Sequence, residues 1–195
     1  MVLKAQPFQY SSLAELVDRA DKKARAMEAA DSESARIAAR PLFIALDGVT
    51  DPQNLGAVIR SAAAFGANGV ILPERRSASV TAAAWKVSAG AAAHMPVARV
   101  VNLTKAIESL KERGYYSVGL DAAAMRSSAK PASKRSAGGC ARLGRQRPEP
   151  SGTRGVRFDR RHSDVEYVES LNASVAAGIT LYAVARARRE AAAAK

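Results

Sequence analysis

Five consecutive apolar residues, Leu42-Phe43-Ile44-Ala45-Leu46, end abruptly at Asp47-Gly48. A short run without polar alternation suits a strand covered on both faces, the situation of a strand inside a parallel sheet. Parallel strands need a crossover, and the chain supplies one at once. Asp51 followed by Pro52 gives a capping carboxylate and a proline at the first helical position, and the small-residue segment to Ala64 stops at Gly66. Gly69 to Pro73 then reads as a second strand, Val80 to Ala93 as an Ala-rich helix, Val97 to Val101 as a strand, Leu103 to Arg113 as a helix and Tyr116 to Leu120 as a strand. This alternation predicts an α/β fold with a mostly parallel sheet flanked by helices.

A chain of 195 residues accommodates one such domain around a single core. Residues 1–40 are expected to be a linker and lead-in helix, because Leu13, Leu16, Val17 and Ala20 recur at helical spacing after Ser11 and Ser12, and 41–195 to be the domain itself. Asn172 to Arg189 predicts a long closing helix whose Arg186, Arg188 and Arg189 suit the negative helix end. The single Cys140 excludes an internal disulfide, and with His94 and His162 it forms no recognisable zinc spacing, so no metal is expected. No basic leader precedes an apolar stretch and no run approaches the roughly 18 apolar residues of a membrane span, so a soluble cytoplasmic protein without membrane contact is expected.

The formal net charge is +12, but it is unevenly placed. Residues 122–163 hold eleven of the thirty Lys and Arg against only Glu149 and Asp159, so +9 of the charge sits there. The remainder carries +3, a balance common in proteins with no nucleic-acid role. Bulk basicity therefore says little about partners. Met125 to Arg161 is rich in Arg, Ser, Gly and Pro with no helical or strand period, and by itself reads as disorder.

The segment from Leu46 through Asp51, Asn54 and Arg60 to Gly66 resembles, nearly without gaps, the first motif of the SpoU RNA methyltransferases. Glu169-Ser170-Leu171-Asn172-Ala173-Ser174-Val175-Ala176-Ala177-Gly178 resembles their third motif, and the Pro73-Glu74-Arg75-Arg76 turn and Lys86-Val87-Ser88-Ala89-Gly90-Ala91 agree with it. The resemblance implies the SPOUT fold with a C-terminal trefoil knot, a homodimer, S-adenosylmethionine as methyl donor, and 2'-O-methylation of a ribose in RNA. The turn at Pro73 leans toward rRNA rather than tRNA. A dinucleotide site is excluded, since the first strand is followed by Gly48 alone rather than a Gly-x-Gly-x-x-Gly turn.

The resemblance implies catalytic roles for Asn54, Arg60 and Asn172, and donor contacts for Leu171, Asn172 and Ser174. On chemistry alone, a strand that delivers Asn54 and Arg60 on the following turn and helix sets an amide and a fixed cation beside a cleft, groups that suit RNA. Alternatives stand beside each: Arg60 as a surface arginine, Asn54 or Asn172 as a helix cap, Leu171 as core. Trp85 reads as core filler ahead of base stacking, and His94 as an ordinary loop residue.

The family's second motif, a strand followed by Gly-Ser-Glu-Gly-x-Gly-Leu, is missing where the arginine-rich stretch lies. Taking the last two bases of each codon with the first base of the next, Arg142 to Arg154 permits Gly-Ser-Glu-Gly-Ser-Gly-Leu-Ser-Arg-Leu-Val-Arg-Glu. Gly138 to Ala141 likewise permits an apolar Val-Val-Val-Leu strand, and Gly155 to His162 permits Ala-Cys-Asp-Ser-Ile-Val-Ala-Ile, a plausible strand. Two compensating frame errors, near residues 122–128 and 162–166, account for this pattern; the alternative is a genuine basic insert that binds RNA. The functional alternative is a catalytically dead RNA-binding or dimerisation protein lacking the donor motif.

Overall fold

The computed structural model describes residues 7–28, 40–120, 139–143 and 171–193. In chain order these form α1 (Leu13–Glu28), β1 (Leu42–Leu46), α2 (Pro52–Ala64), β2 (Gly69–Pro73), α3 (Ala82–Val87), a 3-10 turn (Ala91–Ala93), β3 (Val97–Val100), α4 (Leu103–Glu112), β4 (Tyr116–Leu120), β5 (Gly139–Leu143) and α5 (Ala173–Ala193). The strands form one five-stranded sheet in the order β3-β2-β1-β5-β4, and every pairing is parallel. The expected α/β architecture is the one observed.

β1 is buried along its whole length because helices cover both of its faces. Leu42, Ile44 and Leu46 point to one face, where they meet Val58 and Ala62 of α2, Ala84 of α3, and Ala177 and Leu181 of α5. Phe43 and Ala45 point to the other, where Leu16, Val17 and Ala20 of α1 and Leu103, Ile107 and Leu110 of α4 close over them. The lead-in helix is thus part of the core. Its start carries a reciprocal cap, with Ser12 N–H donating to Glu15 Oε2 at 2.8 Å and Glu15 N–H to Ser12 Oγ at 3.2 Å.

Two expectations are corrected. The single helix from Val80 to Ala93 is broken: α3 ends at Val87, and Ala89 and Gly90 adopt left-handed backbone (φ 50° and 84°) before the 3-10 turn. Buried Ser88 holds the break, its Oγ donating to Trp85 O at 2.7 Å and accepting from Ala92 N–H at 3.3 Å. Disorder is also wrong for residues 139–143, which form β5 between β1 and β4. Arg142 there stands in register with Ala45 on one side and Gly119 on the other.

Candidate active site

The site is set by the shared direction of α2 and α5. Gly178 of α5 lies beside Ser61 of α2, a Cβ added to it meeting Ser61 Oγ at 3.6 Å, and one turn on the Tyr182 ring stands edge-on to Phe65 with centroids 5.9 Å apart. Each contact advances four residues on both helices, so they run parallel. Both finish near the start of β1. Arg188 near the end of α5 donates to Pro41 O at 3.3 Å, and Asn68 just beyond α2 exchanges bonds with Leu42. Burial and the neighbouring Arg40 cation both lower the Arg188 pKa, so its charge is held at some cost to fix that end. Both helices therefore begin where the strands end, the edge at which open α/β sheets take ligands.

Asp51 starts α2, accepting from Gln53 N–H at 3.0 Å and Asn54 N–H at 3.3 Å, with Pro52 in the first turn. The carboxylate takes the cap, so Asn54 does not serve as one. Asn54 lies two turns before Ser61, on the face of α2 that meets α5, and is half-buried. Its side-chain amide has no hydrogen bond among the described residues. Arg60 is exposed, about 9 Å further along the axis and roughly a third of a turn away from Asn54. It shares a face with Gly56 instead, the face that meets α3.

At the start of α5, Asn172 Oδ1 accepts from Ser174 N–H at 2.8 Å and from Ser174 Oγ at 2.7 Å. Asn172 is thus a true helix cap, and its Nδ2 still has both protons available among the described residues. Ser174 Oγ is committed to that cap as donor and keeps its lone pairs. Leu171 is 49% exposed, so the core alternative for it fails. It stands as an apolar surface directly before a helix N-terminus whose Ala173, Ala176 and Ala177 pack toward the core. Asn54 therefore lies on the side of α2 that faces α5, and Arg60 about a third of a turn away on the side that faces α3.

That side packs on α3. A Cβ on Gly56 would stand 2.4 Å from Ala84 O and 3.0 Å from Val87 Cβ, so only glycine allows this approach. The loop before α3 reaches the β1–α2 turn directly, Ala78 N–H donating to Val49 O at 2.8 Å. Trp85 is 42% exposed on α3, which overturns its reading as core filler. One periodicity could not reveal this, because α3 is only six residues long and mostly alanine. No cluster of His, Cys, Asp or Glu able to hold a metal exists among the described residues, and no helix among them is long and apolar enough to cross a membrane.

Known proteins converge on one family. The family model for the SpoU rRNA methylase family matches residues 41–144. An uncharacterized tRNA/rRNA methyltransferase of Mycobacterium ulcerans is 47% identical over 162 residues, covering 76% of this chain and 48% of the relative. The chain thus spans about half the length of the curated relatives it matches. Among solved structures, the AdoMet-bound rRNA methyltransferase from Sinorhizobium meliloti superposes with a TM-score of 0.61 at 23% identity, covering 92% of this chain and 61% of that one. A structure described as an RNA 2'-O ribose methyltransferase superposes with a TM-score of 0.53 at 22% identity, covering 77% and 57%. At these identities the structural likeness speaks for the fold, whereas the match to the family model spans more than half of the chain: this chain belongs to the SpoU rRNA methylase family.

Proposed function

We propose that the protein transfers a methyl group from S-adenosylmethionine to the 2'-oxygen of a ribose in cytoplasmic RNA, rRNA in preference to tRNA. The observation that carries this reading is the parallel start of α2 and α5 at the strand ends, with Asn54 on the side of α2 that faces α5. The described residues fit one side of a donor site. Exposed Leu171 offers an apolar face for the adenine, and Asn172 Nδ2, left over by the cap, offers a donor. S-adenosylmethionine, when bound, supplies a methyl carbon on a positively charged sulfur.

A guanidinium has donors and no acceptor, so Arg60 does not take the ribose proton. It binds the phosphate beside the target nucleotide and stabilises negative charge growing on the 2'-oxygen, while an RNA phosphate or hydroxide accepts the proton. Asn54 and Asn172 orient the ribose and donor. An Arg60→Ala variant that kept full methyl transfer would remove this role; a loss of about 100-fold or more with unchanged folding supports it.

The chain is further proposed to form a homodimer and the C-terminal knot of its superfamily, an exception to the general absence of knots. Support for a dimer comes from α5, where Leu171, Val175, Ile179 and Tyr182 stay 41–49% exposed along one stripe. Compensating frame errors across residues 122–164 are also proposed. The position of β5 supports them, because a central strand of a parallel sheet is ordinarily apolar and the shifted reading places Val-Val-Val-Leu at 138–141. Arg142 in that strand, and the absence of a glycine-rich turn after it, favour a second reading of the chain as written: an RNA-binding protein without a donor site. Calorimetric detection of S-adenosylmethionine binding by that chain would eliminate the second reading.

A further inference from the structure

Trp85 is the chain's only tryptophan and is 42% exposed. Its orientation is fixed. Phe8 stands edge-on to it at 6.1 Å and 68°, and edge-on in turn to Tyr10 at 5.0 Å and 74°. Tyr10 is itself held from two sides: its hydroxyl accepts from Val80 N–H at 2.9 Å, and the Arg99 guanidinium lies 4.4 Å over its ring.

The aromatic surface also has a definite relation to the candidate active site. Val80 and Ala78 belong to the loop that bonds Val49 in the β1–α2 turn, and Ala84, the residue before Trp85, is the one seated on Gly56. Arg60 lies on the Gly56 face of α2, and Lys86 is exposed next to Trp85. Two exposed cations thus stand on the same pair of packed helices as the oriented ring. An apolar protein partner would find charged residues at the patch; a nucleic acid strand finds a π-face for a base and cations for its phosphates.

We infer that Trp85, held edge-on by Phe8, is a stacking platform for an unpaired nucleobase of the substrate RNA flanking the methylated nucleotide, with Lys86 meeting the adjoining phosphate. The inference rests on the proposed RNA substrate and extends it: the strand is recognised single-stranded, since only an unstacked base can reach the ring.

The lone tryptophan makes the test direct. The full chain is titrated with a fluorescently end-labelled single-stranded oligoadenylate, binding being followed by anisotropy of the label and stacking by Trp85 emission. The platform predicts saturable quenching of Trp85 that tracks the anisotropy, binding weakened about 5- to 150-fold in Trp85→Ala, and most of the affinity retained in Trp85→Phe. Binding by anisotropy with unchanged Trp85 emission and an unaffected Trp85→Ala variant would overturn the platform and leave the RNA reading standing. Emission that shifts with protein concentration before RNA is added would overturn it in favour of a protein contact. Absence of RNA binding in all three proteins would overturn the platform and the RNA reading together.

Discussion

Gly178 of α5 lies against Ser61 of α2 with room for one more carbon, a Cβ at Gly178 meeting Ser61 Oγ at 3.6 Å. This contact holds the two helices parallel and so brings Asn54 level with the start of α5. Gly178→Ala is therefore expected to be accommodated and to raise stability by about 0.5–1 kcal/mol through helix propensity. Gly178→Leu should separate the helices and reduce methyl transfer well before it unfolds the protein. Thermal melts of both variants beside activity measurements check the pair.

Gly56 is the contrasting case, because its added Cβ would stand 2.4 Å from the Ala84 carbonyl, a backbone atom that cannot swing aside. Gly56→Ala should cost about 1–3 kcal/mol, the range for forcing an extra carbon into a packed contact. A denaturant midpoint equal to that of the parent would mean α3 does not bear on α2 as described.

Asn172 carries two separable properties. Its Oδ1 caps α5, and its Nδ2 is available to a ligand. Asn172→Asp keeps the acceptor and loses the donor, so stability should hold while donor affinity falls. Asn172→Ala should lose the cap as well, at about 1 kcal/mol. Equal donor affinity in the parent and Asn172→Asp would reduce Asn172 to a structural cap.

Alkaline pH should loosen the attachment of α1. The buried Tyr115 hydroxyl donates to Asp21, and burial first, then that hydrogen bond, raise the phenol above its ordinary value of 10.0. A folded-state pKa raised in this way gives stability that is complete below about pH 10 and lost as pH climbs beyond it. Tyr115→Phe should be less stable than the parent by about 1–2 kcal/mol at neutral pH, the difference shrinking above pH 10. Urea unfolding from pH 7 to 11 measures this.

Much of the fold is legible in the chain because the informative elements carry local signals. β1 and β2 are unbroken apolar runs, and Asp51-Pro52 marks the start of α2 to the residue. Gly139–Leu143 carries no such signal: Gly, Cys and Arg interrupt it, and its place between β1 and β4 is decided by pairing across the sheet. The break after Val87 escapes notice because alanine suits either outcome and the buried Ser88 bonds are tertiary in consequence. At the site, residue types were readable but facing was not. The six-residue spacing already puts Asn54 and Arg60 on different sides of α2, and the packing of α2 against α5 and α3 decides what each side meets.

The proposed activity is donor-dependent methylation of an RNA ribose. Its most direct test supplies methyl-labelled S-adenosylmethionine and RNA to two polypeptides, the chain as written and the chain with residues 122–164 encoded in the shifted frame, each with and without Arg60→Ala. Label is expected in RNA from the shifted-frame chain, at a ribose 2'-oxygen that blocks alkaline cleavage there, with transfer falling about 100-fold or more in Arg60→Ala. Label on a base, or no label from either polypeptide, would contradict it.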